Sequence, residues 1–406
     1  MKIVTIVITT LWLGTLICSG SPSDMEPGKG TSSEMNPSSD SLLKTILENN
    51  RTLRTAWESF QVAMLEAGTG NTPPNPEVEM GYLYGSPSEL GNRLDFSVTQ
   101  QVDFPTAYIY KSRLRKIRSY QAELDYLIVK QEVMLQAKQL WIEHIYLNQR
   151  ERLLEKRLQQ ANTINEHFKQ KLEAGEVSHL AYSQSNLQLA SIRTEFDQLL
   201  MEIRNIELAW TEISGGTEVE IRDTIFPLPI EILPDSLLNV YQQSPQMLRY
   251  SQELQSKEEE KKLAVSETLP RLKAGYYSES VLDVKFKGFQ VGITVPLWEN
   301  TNRIKQAKSE ISFAMEDAQR YTNLQQREVR QKLEQLESLR TRTKVLEEAL
   351  GSGRSQELLA ISLENGEISM SEYFYASDFY YRNEQLLLQY RRDLLVQEAE
   401  LLKVYY

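Results

Sequence analysis

The strongest constraint on this chain is a short alternating stretch that occurs twice. In LPRLKAGYYSESVLDVKFKGFQVGITVPLW, Leu269 to Trp298, the residues Phe289, Val291, Ile293 and Val295 alternate with Gln290, Gly292 and Thr294. This is the period of a strand with one apolar and one polar face, and Pro296 then closes it. In PEVEMGYLYGSPSELGNRLDFSVTQQVDFP, Pro76 to Pro105, Val78, Met80, Tyr82 and Tyr84 alternate with Glu79, Gly81 and Leu83; Phe96 and Val98 alternate with Ser97 and Thr99. Two strand pairs are predicted, over about 77–84 and 93–103, and over about 270–281 and 285–296. Phe96 aligns with Phe289 and Val98 with Val291. The offset of roughly 190 residues marks one unit present twice.

Helical sequence surrounds both pairs. Between Pro105 and Ala174 there is no further proline and no glycine, and apolar residues recur at three and four (Leu124, Leu127, Ile128, Leu135, Leu140, Ile145, Leu147). A continuous helix there reaches roughly 100 Å, a length typical of coiled coils rather than globular domains. Gly175 ends it in KLEAGEVSHLAYSQSNLQLA, and a return helix runs from about His179 to Ser214. After the second strand pair, a helix from Asn302 to about Glu364, weakened around Gly351–Gly353, ends at Gly366 in SLENGEISMSEYFYASDFYY, and a last helix follows. An opening helix is expected from Ser41, as N-cap, to about Ala67, and its counterpart from Asp235 to Glu267, nicked at Ser244-Pro245. The chain thus divides into a first repeat over 41–214, an irregular connector over 215–234 with Pro227, Pro229 and Pro234, and a second repeat over 235–406.

The N-terminus reads as a secretory signal over 1–20: Met1-Lys2, an apolar run from Ile3 to Ile17, then Cys18-Ser19-Gly20. A flexible leader over 21–40 follows. A short membrane anchor is the alternative, but the run is too short to span comfortably. Cys18 is the only cysteine, so the mature chain has neither a disulfide framework nor thiol chemistry.

Past the N-terminus no window approaches the roughly 18 apolar residues of a membrane helix, which excludes a helical transporter. It does not exclude a β-barrel, whose strands need about 9–11 residues and hide from hydropathy. The net charge of −11 argues against a nucleic-acid partner. No catalytic constellation, cofactor motif or phosphate loop is present, and the chain does not read as an enzyme. His144, His167 and His179 have no zinc-type spacing, so no metal site is assigned. His179, beside a turn, is expected to be solvated.

Four strands cannot close a barrel, and an open sheet leaves unpaired backbone at both edges. Three chains supply twelve strands, within the range of outer-membrane barrels. The expected fold is therefore mainly α with a small β part: a trimeric 12-stranded barrel continued by an α-helical barrel. Tyr82, Tyr84, Phe96, Tyr276, Tyr277, Phe286 and Trp298 are the aromatics expected in interfacial girdles; in a small soluble sheet they would simply pack it.

The duplication, the TQQVDFP that ends a strand, and the paired turns KLEAGEVSHLAYSQS and SLENGEISMSEYFYAS resemble the outer membrane efflux protein (TolC) family over Ser41 to Tyr406. The tract QVDFPTAYIYKSRLRK resembles its cation-efflux branch. The resemblance implies a homotrimer in outer-membrane lipid, with a large periplasmic part. It also implies a passive export duct, for metal cations in that branch, that works with an inner-membrane efflux pump and a periplasmic adaptor (membrane fusion) protein. It places the adaptor-docking tips at Leu172, Gly175, Val177, Ser178, Gly366, Ile368 and Ser369. Glu372 falls at the first of the family's two acidic pore positions and Tyr375 at the second, where the chain departs from the pattern. Glu367 and Asp378 rank below them. Two other readings are a periplasmic adaptor, which needs a strand-rich domain not seen here, and a coiled-coil scaffold, opposed by the signal segment and the strands.

Overall fold

The structure is a computed structural model and describes residues 37–406 except 218, 220, 222, 283 and 352–354. The signal segment and most of the leader lie outside the described residues.

The first half opens with α1 (Pro37–Asn49) and α2 (Arg51–Gly68), followed by β1 (Glu77–Leu83) and β2 (Arg93–Val102). Then come α3 (Pro105–Glu173) and α4 (His179–Ile213). The second half repeats this order with α5 (Pro234–Gln242), α6 (Pro245–Ser266), β3 (Arg271–Val281), β4 (Val284–Thr294), α7 (Arg303–Leu350), α8 (Ser355–Glu364) and α9 (Met370–Leu401). α3 is one helix of 69 residues, roughly 100 Å long.

Three expectations need correction. The leader was expected to reach Asp40, but α1 begins at Pro37, where the fixed φ of proline suits a first helical position. Ser41 therefore lies inside the helix and is not its cap. The opening helix is also broken at Asn50. The Asn50 side chain accepts the Leu53 N–H (2.9 Å) and donates to the Ile213 carbonyl (2.8 Å), so it starts α2 and ties it to the end of α4. In the second half, Ser244 caps α6 in the same way through the Met247 N–H (3.3 Å). The helix expected over 302–364 ends at Leu350 and resumes as α8; Gly351, at φ 56° and ψ −136°, takes a conformation open to glycine there.

The helices form a wall of two tiers. Near the sheet, α3 is flanked by α2 and α6, and α6 packs on α7. In the other tier α3 is flanked by α4 and α9, and α9 packs on α7. Buried residues recur every seventh position: Leu147, Leu154 and Ala161 on α3, and Ser185, Ile192 and Leu199 on α4. This is coiled-coil packing. A larger core gathers where the tiers meet, around Ile142, Ile145, Leu237 and Leu401. The connector straps this level. Asp223 accepts the Trp141 indole N–H (2.9 Å), Ile230 donates its N–H to Glu398 (2.5 Å), and Arg340 donates to the Ile230 carbonyl (2.6 Å).

The four strands form one antiparallel sheet in the order β1-β2-β3-β4, so β1 and β4 are its edges.

Candidate functional site

The two ends of the chain's long axis carry the candidate features, and the turns come first. Both are built alike. Gly175, at φ 77°, follows α3; its N–H reaches the Leu172 carbonyl (3.0 Å), and the Glu176 N–H reaches that of Lys171 (2.8 Å). Gly366, at φ 71°, follows α8 with the equivalent pair: Gly366 N–H to Leu363 (3.1 Å) and Glu367 N–H to Ser362 (2.9 Å). These are Schellman motifs, whose left-handed position favours glycine. An acid and a β-branched residue follow each glycine, Val177 in one turn and Ile368 in the other. A serine then caps the next helix. Ser178 accepts the Ala181 N–H (3.2 Å), and Ser369 accepts the Glu372 N–H (3.2 Å).

Here the turns diverge. Only the second has a capping box: the Glu372 carboxylate accepts the Ser369 N–H (2.8 Å) and the Ser369 hydroxyl (2.7 Å). The backbone bond and then the hydroxyl hold this carboxyl below its usual range. Glu372 is thus exposed but folded back over the N-terminus of α9. Tyr375 stands beside it, 79% exposed. Glu367 is exposed on its turn, and His179 is exposed at the start of α4. Asp378 is engaged in ion pairs. The three histidines are not brought together, and among the described residues no group of side chains is arranged to hold a metal ion.

The sequence reading missed what fastens α9. Arg157 of α3 is bonded to Asp378 (2.9 Å), lies 3.6 Å from Glu195 of α4, and stacks 3.9 Å over the Tyr381 ring. The Tyr381 hydroxyl donates to Glu195 (2.8 Å), and Arg382 makes a second pair with Asp378 (2.7 Å). Tyr381 is buried, which pushes its phenol pKa up. Three helices meet at this clasp, about 12–20 residues or roughly 18–30 Å from each turn, so both turns lie at the same end.

The sheet makes up the opposite end. Its register assigns every side chain to a face. One face carries Val78 and Met80; Phe96 and Val98; Leu272, Ala274 and Tyr276; and Phe289, Val291 and Ile293. Tyr276 and Phe289 meet there edge to face at 6.0 Å. The other face holds Glu79, Arg93, Asp95, Ser97, Tyr277 and Glu279. On it Arg93 pairs with Asp95 (2.8 Å) and Glu279 (3.2 Å), and donates to the Tyr277 hydroxyl (2.9 Å). Gly81, Gly275, Gly288 and Gly292 all lie on the polar face. At Gly275 a Cβ would come within 2.7 Å of Thr99, so that face is crowded and suited to the concave side. The girdle expectation is corrected for Tyr277 and Phe286, which point to the polar face. Adjacent tyrosines 276 and 277 cannot share a face.

The two-faced sheet matches the apolar-out, polar-in arrangement of membrane barrels. No described helix is long and apolar enough to cross a membrane.

No family model and no curated protein matches the sequence. Solved structures do match. CusC, whose crystal structures follow folding and transmembrane channel formation, superposes with a TM-score of 0.78 at 16% identity, over 91% of this chain and 92% of that one. The Campylobacter jejuni CmeC outer membrane channel gives 0.74 at 16% identity, over 90% and 85%. The open state of the Neisseria gonorrhoeae MtrE outer membrane channel gives 0.74 at 14%, over 91% and 89%. The chain has the fold of these outer membrane channels.

Proposed function

We propose that the chain is one of three protomers of an outer membrane efflux channel of the TolC type, a passive duct with no chemistry of its own. The observation that carries this is the sheet: one apolar face, one polar face, and two free edges. Unpaired β1 and β4 backbone is costly in water and more so in lipid. Edge-to-edge joining of three copies removes every edge and gives twelve strands. The helical wall has the same need. Leu180, Leu187, Met201 and Leu208, spaced at multiples of seven, form an exposed apolar stripe along α4, on the side away from α3. Such a stripe fits a helix of a neighbouring copy, and α7, at the other margin of the wall, is the helix available.

In this reading the sheet end sits in outer-membrane lipid and the turn end projects into the periplasm. There the glycine turns serve as docking tips for a periplasmic adaptor, which couples the duct to an inner-membrane pump. Glu372 and Tyr375 narrow the pore just inside the tip. Cation export rests on the resemblance of the tract from Gln101 to Lys116 to the cation-efflux branch; within it Asp103 pairs with Lys111 (2.9 Å), and it also reaches Arg271 of β3 (3.7 Å). These charges brace the junction of sheet and helix, so cargo selection is left to the pump.

The test is extraction from membranes followed by light scattering and planar-bilayer recording. A detergent-dependent trimer that conducts ions is expected. A monomer soluble without detergent refutes the reading.

A further inference from the structure

The apolar face of the sheet changes character toward its hairpins. On β4 that face runs Lys285, Lys287, Phe289, Val291, Ile293 from hairpin to helix. Ser280 and Ser278 of β3 lie beside the two lysines in the register. Leu94 with Tyr82, and Phe96 with Met80, continue the same two rows across β2 and β1. No described residue of this face is Asp or Glu, although the chain carries a net charge of −11. Both lysines are exposed, and neither makes an ion pair or hydrogen bond among the described residues. On the other face at the same level, Arg93, Asp95 and Glu279 are all paired.

We propose that Lys285 and Lys287 are a contact site for phosphate groups of anionic lipid headgroups in the outer leaflet. The proposal rests on the outer-membrane reading above. A lysine on the lipid face of a barrel is most costly at the bilayer midplane and costs almost nothing near the interface. Two of them in successive rows, above three apolar rows, therefore mark the headgroup level. Two positions apart on one strand, their stems rise roughly 7 Å from each other, so both ammonium groups reach a single diphosphorylated headgroup. The β1 strand of a neighbouring protomer supplies no counter-charge on this face. The β1 edge that would lie beside β4 presents Val78, Met80 and Tyr82 on this face, while Glu77 and Glu79 point to the other. Anionic lipid headgroups at this level supply the charge complement.

The test uses the purified, full-length trimer in neutral detergent and measures binding of a bisphosphorylated, acylated diglucosamine lipid. The same lipid without phosphates and inorganic phosphate serve as controls. At about fivefold per basic residue, K285Q/K287Q should weaken binding of the phosphorylated lipid about 25-fold. K285R/K287R should retain it, and K273Q, on the polar face, should leave it unchanged. The dephosphorylated lipid should bind wild type and double variant alike. Inorganic phosphate should bind neither appreciably, since the acyl chains supply the rest of the contact. Equal affinity of wild type and K285Q/K287Q for the phosphorylated lipid overturns the site while leaving the trimer reading intact. A detergent-independent monomer overturns both.

Discussion

The clasp around Arg157 offers the sharpest test of how the turn end is held. Its side chain is 11% exposed and serves three helices at once: α3 by origin, α4 through Glu195, and α9 through Asp378 and the Tyr381 ring. Breaking a buried ion pair costs about 3–5 kcal/mol when an unpaired charge is left behind. Here each acid retains a partner, Glu195 the Tyr381 hydroxyl and Asp378 the Arg382 side chain, so the full penalty does not apply. What is lost is one charge-assisted hydrogen bond and one partly desolvated cation–π contact, together about 2–4 kcal/mol. Arg157→Leu keeps much of the packing volume and removes both.

The loss should be local, because the sheet and the core where the tiers meet lie far along α3. Amide exchange read by mass spectrometry should therefore show protection in α9, from about Met370 to Tyr390, falling about 30- to 700-fold, the factor equivalent to that energy. Protection in β2 and β3 should not change. Arg157→Lys keeps the charge but loses the planar stack and the two-pronged reach, and should fall between. A double-mutant cycle with Asp378→Asn isolates the pair. Unaltered α9 protection in Arg157→Leu would show that heptad packing alone, and not the clasp, holds this end.

Gly175→Ala and Gly366→Ala should each lower the local stability of the tip by about 1–2 kcal/mol through left-handed strain alone, since a Cβ at either meets nothing within 4 Å; exchange of the turn amides checks this, and Gly366→Val should in addition abolish export while the sheet end still assembles. Glu372→Gln keeps the capping box, which accepts Glu or Gln, but removes the charge, so block by a trivalent cation in single-channel recording should weaken with α9 helicity unchanged. Glu398 is buried beside the connector, and burial raises its carboxyl pKa. A raised acid stabilises the fold fully below the unfolded value and loses that contribution as pH rises through the folded one. Glu398→Gln should thus flatten the pH dependence of thermal unfolding just above the ordinary carboxylate range, and a steeper dependence would contradict this.

Much of the architecture was legible because its signals are local. Alternation at period two exposed the strands, and Gly-Glu-Val-Ser and Gly-Glu-Ile-Ser exposed the turns, since a left-handed glycine and a serine cap leave their mark within five residues. What stayed hidden depends on distant partners. Asn50 breaks a helix because the Ile213 carbonyl, 163 residues away, receives its side chain. The Arg157 clasp draws its members from three helices, and none has a distinctive local pattern. The faces of Tyr277 and Phe286 were available from parity: Phe286 is an odd number of residues from Phe289 and so cannot share its side.

The duplication itself indicates where the turn end acquires direction. If the two halves were identical, three chains would present six equivalent tips, and any charge would be spread over six positions. Gly175 and Gly366, Glu176 and Glu367, Val177 and Ile368, and Ser178 and Ser369 keep that equivalence. It breaks in the first turn of the following helix, where His179, Leu180 and Ala181 stand against Met370, Ser371 and Glu372, and only the second half places an acid there. In the single chain, capping bonds lower the Glu372 pKa, so its contribution to the α9 cap is present above the ordinary carboxylate value and is lost only as pH falls through the depressed one. Three such carboxylates converging on a narrow axis would push one another the opposite way. The apparent pKa of cation block therefore separates two geometries. A value below the ordinary carboxylate range means three separate caps at the rim, and a value above it means a true acidic ring, with the capping bonds given up to form it.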